Sequence, residues 1–411
     1  MRLAFLYPDL SRPGGAENVL LWTAAGMKAR GHQIALFSAG YEPRWWPDLN
    51  EHIGVSAESL LADWHPIAAL DEHDSAARLR EKGRSCADAL NDFDVVLPQN
   101  RLALHASETC DRPRLWFCQE PWRRLHIEAT DRELLQALKR PEVEKPHPAL
   151  DQVRHWIGRQ RRWPWRRWQH AARVAAERRA VARLRGALVN SAYSARCFEE
   201  AFRRPAQIMD LAVLSAGRQK PLPWSQRRDL VVISGANPKK NLHGTLAVLR
   251  ELRRLGWPEG ERVHIWGGGS DGEAFRQLAG QWGLEPFLQW HGFLEEAEAE
   301  RLLAQAKLCL YLPLCEPFGL VAAEAMAVGT PVLASDHGGP SETVRQGQGG
   351  QTVDPLLPKS AAECLQSMLA SPEAWQAWSQ AGAESVARRF RLDGFLDRME
   401  DLFCWIASTK P

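Results

Sequence analysis

Two glutamates, Glu316 and Glu324, stand eight residues apart around the short apolar run Pro317-Phe318-Gly319-Leu320-Val321-Ala322-Ala323. At the rise of a helix that spacing corresponds to roughly 12 Å, too far for the two carboxyls to share a proton. Leu320 to Ala327 is small, apolar and rich in helix formers, so a helix is expected to begin between them. The N–H groups of Phe318, Gly319, Leu320 and Val321 then lack intrahelical partners, and the positive end of the helix dipole favours an anion there. Carboxylates at both ends accept hydroxyls, while amides in the middle take phosphates. A nucleotide sugar has that shape.

The elements that must hold these groups are legible on either side. Cys309 to Leu312 reads as a buried strand, and Val332 to Ser335 as the next one. Gly329 marks a left-handed helix stop and Pro331 forbids continuation, so the stretch is one βαβ unit with its loop at a strand's carboxyl end. The same strand-then-loop grammar recurs three times. Leu230 to Ser234 leads into Gly235-Ala236-Asn237-Pro238-Lys239-Lys240-Asn241, a turn that carries two adjacent lysines. Arg2 to Tyr7 leads to Gly14-Gly15-Ala16-Glu17, a glycine pair that lets a phosphate approach the backbone. Leu115 to Cys118 leads to Gln119-Glu120-Pro121-Trp122. Glu120 is either a base for an incoming hydroxyl or an ordinary loop carboxylate.

Glu316-x7-Glu324, with Phe318-Gly319-Leu320 and Ala325-Met326-Ala327-x-Gly329-x-Pro331-Val332, resembles the signature of the retaining GT-B glycosyltransferases of family 4, which use nucleotide-activated sugars. The resemblance implies that Glu316 contacts the donor sugar, Glu324 holds the ribose, and the backbone of Gly319 to Val321 binds the diphosphate. It implies further that Gly14 and Gly15 face that diphosphate from the opposite domain, that Lys240 pairs with it, and that Leu288 to Gly292 flanks the base. Two departures stand out. Gln119 occupies a place where related transferases often have histidine, leaving Glu120 or a more distant residue such as His126 as a side-chain base. Ala236 or Asn237 stands where the family usually has an arginine, so that contact is missing or comes from Lys239.

The 411 residues exceed the size of a single core, and 52 basic against 50 acidic side chains give no global pull toward nucleic acid. Cysteines at 86, 110, 118, 197, 309, 315, 364 and 404 have no paired short spacing, which favours reduced thiols over disulfides or zinc. No apolar run is long enough to span a bilayer, so a soluble or peripheral cytoplasmic protein is expected. Asp92-Phe93-Asp94 before Val95-Val96-Leu97 reads as a strand entrance in preference to a metal-binding acid pair.

Arg154 to Arg185 is the most biased segment, with eleven arginines, four tryptophans (Trp156, Trp163, Trp165, Trp168) and a single acid, Glu177. Such a composition suits a helix lying on an anionic membrane surface. The alternative is a surface helix with its tryptophans turned inward and its arginines solvated.

The expected fold is α/β, with two doubly wound Rossmann-like domains facing across a GT-B cleft. Residues 1–220 form the acceptor-side domain, 221–388 the nucleotide-sugar domain, and 389–411 a terminal helix returning to the first, with Lys220-Pro221-Leu222-Pro223 as linker. The expected activity is transfer of a hexose to a glycan or lipid-linked saccharide by front-face displacement, without cofactor or metal. GDP-mannose leads over a UDP-sugar, because Cys118 to Pro121 is similar to mannosyltransferases acting on lipid-linked oligosaccharides. A nucleotide-sugar 2-epimerase and a catalytically silent subunit are the rival readings.

Overall fold

A computed structural model describes residues 1–161, 164–215 and 221–408. Trp163 and Lys220 lie outside the described residues. The chain divides into two compact units. The first comprises Met1–Thr130, Arg159–Leu214 and Leu392–Pro411, and the second Asp131–Gly158 and Ser215–Arg391.

In the first unit the strands are β1 (Arg2–Leu6), β2 (Gln33–Ser38), β3 (Trp64–Pro66), β4 (Val95–Pro98), β5 (Leu115–Phe117), β6 (Gly186–Val189) and β7 (Gln207–Ile208). They make parallel sheets of order β3-β2-β1-β4 and β5-β6-β7. Bridges from Val96 to Arg114 and Gln99 to Phe117 carry the pairing from β4 to β5. The short strand β3 had no clear signal, since Trp64-His65-Pro66 ends on a proline that only a sheet edge tolerates. Asp94 takes the strand-entrance role, accepting from the Arg2 N–H at 2.8 Å.

In the second unit β8 (Leu230–Ile233), β9 (Val263–Trp266), β10 (Leu288–Gly292), β11 (Leu308–Tyr311), β12 (Val332–Ser335) and β13 (Gly350–Val353) form a parallel sheet of order β10-β9-β8-β11-β12-β13. Strands β8, β11 and β12 are near-continuous apolar runs, as a sheet covered on both faces demands. Leu246, Leu249, Ile265, Leu310, Leu333 and Leu365 close its core. The order reverses between β8 and β11, so the loops leaving those two strands run apart and open a crevice at their carboxyl ends.

The boundary at residue 220 is not the whole division, because Asp131–Gly158 groups with the second unit and not the first. The reason is a set of polar contacts distant in sequence. The Lys239 ammonium pairs with fully buried Asp131 and lies 5.8 Å from the Trp156 ring. Arg140 reaches Asp354 at 2.6 Å, His147 meets Asn241 at 3.1 Å, and Arg250 meets Glu144 at 2.9 Å.

The last helix, Leu392–Ser408, packs within the first unit. Arg30 donates to Glu400 and to Asp397 at 2.6 Å each, and Phe5 meets Phe403 edge-on with ring centres 6.1 Å apart. No described helix is long and apolar enough to cross a membrane.

Candidate active site

The two loops that part at the crevice of the second unit carry Lys240 and Glu316. After β8 the chain makes a tight turn, Pro238–Lys240, held by Asn237, whose side chain accepts from the Lys239 N–H, and by the Ser234 hydroxyl, which donates to the Lys240 carbonyl at 2.9 Å. Asn241 follows at φ 57°, a left-handed residue whose amide donates to the Leu312 carbonyl at 2.9 Å. That bond ties the loop after β8 to the loop after β11. Lys240 then extends to Glu316, its ammonium 2.9 Å from a carboxylate oxygen.

Helix Leu320–Ala327 begins where the spacing placed it, with Gly319 as its cap at φ 84°. A Cβ on Gly319 would meet Pro340 at 2.6 Å as well as adopting a disfavoured backbone, so only glycine fits at this cap. The first-turn amides of a helix lack intrahelical partners and favour an anion. Glu324 lies about one turn into this helix, half-buried, and desolvation pushes its carboxyl up to about 7. A carboxyl held in that range gains by accepting hydroxyls that replace lost water.

A second loop braces the first. Gly338 pairs with Glu316, and the Gly339 N–H donates to the Glu316 carbonyl at 2.8 Å. A Cβ on Gly338 would strike that carbonyl oxygen at 2.3 Å, so glycine there is a condition of the approach. Two adjacent glycines, with two residues between them and the end of β12, are the sequence signal for this brace.

Of the expected site residues, Lys240, Glu316, Phe318, Gly319, Leu320, Val321 and Glu324 all fall in the second unit, on the two loops and the helix just described. Gly14, Gly15 and Glu120 fall in the first unit. Gly14 caps helix Gly15–Ala29, and Glu17 bends back so that a Cβ on Gly14 would touch its carboxylate at 2.4 Å. The Tyr7 hydroxyl holds that carboxylate at 2.8 Å. Glu120 pairs with Arg123.

Two suggestions from the sequence do not survive. Lys239 cannot replace the missing arginine, because its ammonium is buried on Asp131. Nor is His126 a base for a ligand. Its ring is buried against Phe202 and its Nε2 lies 2.7 Å from Glu177, which also takes Arg101 at 2.5 Å. Glu177, the single acid in the arginine-rich segment, is thus the buried partner of Arg101 and His126. Among the tryptophans there, Trp165 and Trp168 are exposed, at 52% and 78%, and do not turn inward.

Known proteins resemble this chain in sequence and in fold. Residues 217–385 match the family described as glycosyl transferases group 1. The alpha-1,3/1,6-mannosyltransferase ALG2 of Homo sapiens is 25% identical over 96% of this chain and 94% of its own. The sucrose-phosphate synthase of Thermosynechococcus elongatus superposes with a TM-score of 0.69 at 15% identity, covering 98% of each chain. Anabaena HepE, solved with UDP and glucose, gives 0.68 at 16% identity over 98% of this chain and 99% of that one. Residues 217–385 are therefore a glycosyl transferases group 1 domain, and the chain is a glycosyltransferase of GT-B fold.

Proposed function

We propose that the enzyme takes a hexose from a nucleotide-sugar donor, with GDP-mannose ahead of a UDP-sugar, and passes it with retention of anomeric configuration to a glycan or lipid-linked saccharide. The observation that carries this reading is the Lys240–Glu316 contact beside the N-terminus of helix Leu320–Ala327, with Glu324 on the same helix. Donor phosphates bind the first-turn amides and draw Lys240 toward them, which frees Glu316 for the sugar hydroxyls. Glu324 accepts from the ribose. The mannosyl preference is supported by the activity named for the human relative, and the UDP alternative by the ligand named for HepE.

In the proposed step the acceptor oxygen attacks the anomeric carbon on the face that the diphosphate leaves. The bond from that carbon to the phosphate oxygen breaks, and the acceptor proton passes to the departing oxygen. Lys240 and the helix terminus stabilise the negative charge that builds there, the task a divalent ion performs in other transferases. No carboxylate nucleophile is invoked.

The acceptor side is read from the first unit. The exposed Trp165 and Trp168 stand on the arginine-rich helix Pro164–Ala182, a composition that favours an anionic lipid surface and so a lipid-linked acceptor.

Thermal shift with a panel of nucleotide sugars tests the donor reading, because a ligand that binds only the folded state raises its stability. GDP-mannose is expected to give the largest rise, and Glu316→Ala to lose both that rise and slow donor hydrolysis. No shift with any nucleotide sugar, release of a 2-epimer without acceptor, or a stable glycosyl-enzyme would overturn the corresponding part.

A further inference from the structure

Strands β12 and β13 end side by side, with Ser335 opposite Val353, and each is followed at once by an aspartate. The Asp336 N–H donates to the Val353 carbonyl at 2.9 Å, so the register itself sets Asp336 beside Asp354. His337 comes next and turns between them. Its Nε2 lies 3.6 Å from Asp336 Oδ1 and 3.6 Å from Asp354 Oδ1. The residue is only 7% exposed, and 3.6 Å is longer than a hydrogen bond, so Nε2 is held toward both carboxylates without bonding to either.

We propose that Asp336, His337 and Asp354 bind one divalent transition ion, Zn²⁺ before others. Ligand atoms from the three residues all lie within 4.8 Å of one another. An ion about 2.1 Å from each would hold them roughly 3.4 Å apart in tetrahedral geometry, close to the spacing His337 already keeps. One imidazole with two carboxylates suits Zn²⁺ or Co²⁺, whereas Mg²⁺ and Ca²⁺ prefer oxygen alone.

The surroundings orient the ligands. Asp354 Oδ1 accepts from the Leu356 N–H at 2.9 Å, while Arg140 takes Oδ2 at 2.6 Å and leaves Oδ1 turned to His337. The His337 N–H donates to the Ser335 hydroxyl at 3.0 Å. Asp336 is exposed, so the remaining coordination positions open to water. Arg140 opposes a cation and limits the affinity. The ion would clamp the ends of β12 and β13, and through Gly338 and Gly339 would stiffen the main chain of Glu316. It lies outside the transfer chemistry, and the proposal does not rest on the donor reading.

The test uses the full chain stripped by chelator, titrated with Zn²⁺ by calorimetry and with Co²⁺ by visible absorption. One ion per chain is expected, with at least tenfold weaker binding in Asp336→Asn and His337→Gln, and a Zn²⁺-dependent rise in melting temperature confined to the wild type. Asp336→Asn changes an exposed side chain and covers the case in which His337→Gln fails to fold. Several results would overturn the proposal: no ion in the wild type, equal binding in Asp336→Asn, or competition by equimolar Mg²⁺. A thiolate charge-transfer band with Co²⁺ would also do so, as would a His337 ring that NMR finds still doubly protonated at pH 8, the mark of an imidazolium clasped by two carboxylates.

Discussion

The Lys240 ammonium lies 2.9 Å from the Glu316 carboxylate, joining the loop after β8 to the loop after β11 at the point where the strand order reverses. Its neighbour Lys239 points the other way, onto buried Asp131. Two adjacent lysines of the same type therefore do different work, one at the ligand crevice and one in the body of the unit.

Lys240→Met separates these roles. The Lys240–Glu316 pair is part-exposed, so its loss should change stability by no more than about 1 kcal/mol. Transfer should nevertheless fall on the order of 100-fold, because charge on the leaving diphosphate goes unneutralised. Steady-state kinetics beside a denaturant melt would measure both, and an unchanged kcat would refute the role.

Breaking the other pair has the opposite signature. Asp131→Ala leaves the Lys239 ammonium buried without its partner, which should cost about 3–5 kcal/mol. Asp131→Leu combined with Lys239→Met should recover most of that loss. Urea unfolding of the single and double variants gives the comparison, and a single-variant cost under 1 kcal/mol would show the pair to be dispensable.

Glu324 makes stability depend on pH. Burial raises its carboxyl from the ordinary 4.5 to about 7 in the folded chain. Between those two values the folded state keeps a proton that the unfolded state has released, so this group's contribution declines as pH rises through the window. Above pH 7 the accumulated cost reaches at most on the order of 3 kcal/mol. Glu324→Gln should therefore be more stable than the wild type at pH 8 and about equal to it at pH 4, while binding the donor more weakly. Melts across that range check the sign.

Gly319→Ala tests the helix terminus directly. The left-handed backbone alone costs roughly 1–3 kcal/mol for a residue with a side chain, and the contact with Pro340 adds to it. Loss of the nucleotide-sugar thermal shift is expected even at temperatures where the variant remains folded. A retained shift would place the phosphates elsewhere.

Trp165→Ala with Trp168→Ala removes exposed aromatic surface from helix Pro164–Ala182 and leaves its described arginines in place. Flotation with vesicles rich in anionic lipid should drop several-fold while soluble-acceptor activity holds. Absence of wild-type flotation at low salt would remove the membrane from the account.

Much of this protein was legible from residue order because its signals are local. The apolar runs at β8, β11 and β12, the stop at Gly329, and the glutamates flanking Leu320 act through periodicity and helix geometry within a few residues, so their placement needed no partner. Neither the pairing of Lys240 with Glu316 nor the burial of Lys239 could be read that way, since those partners lie 76 and 108 residues away and only the sheet order brings them near. The same holds for Asp131–Gly158, whose allegiance to the second unit rests on ion pairs and hydrogen bonds to residues beyond 238, and for Glu177, which looked like an odd acid in a basic helix until folding set it between Arg101 and His126. Residue types and short spacings determined what chemistry the loops carry. Which side chains are free to perform it was decided by long-range electrostatic pairing, because a charge is available to a ligand only when the fold has not already neutralised it.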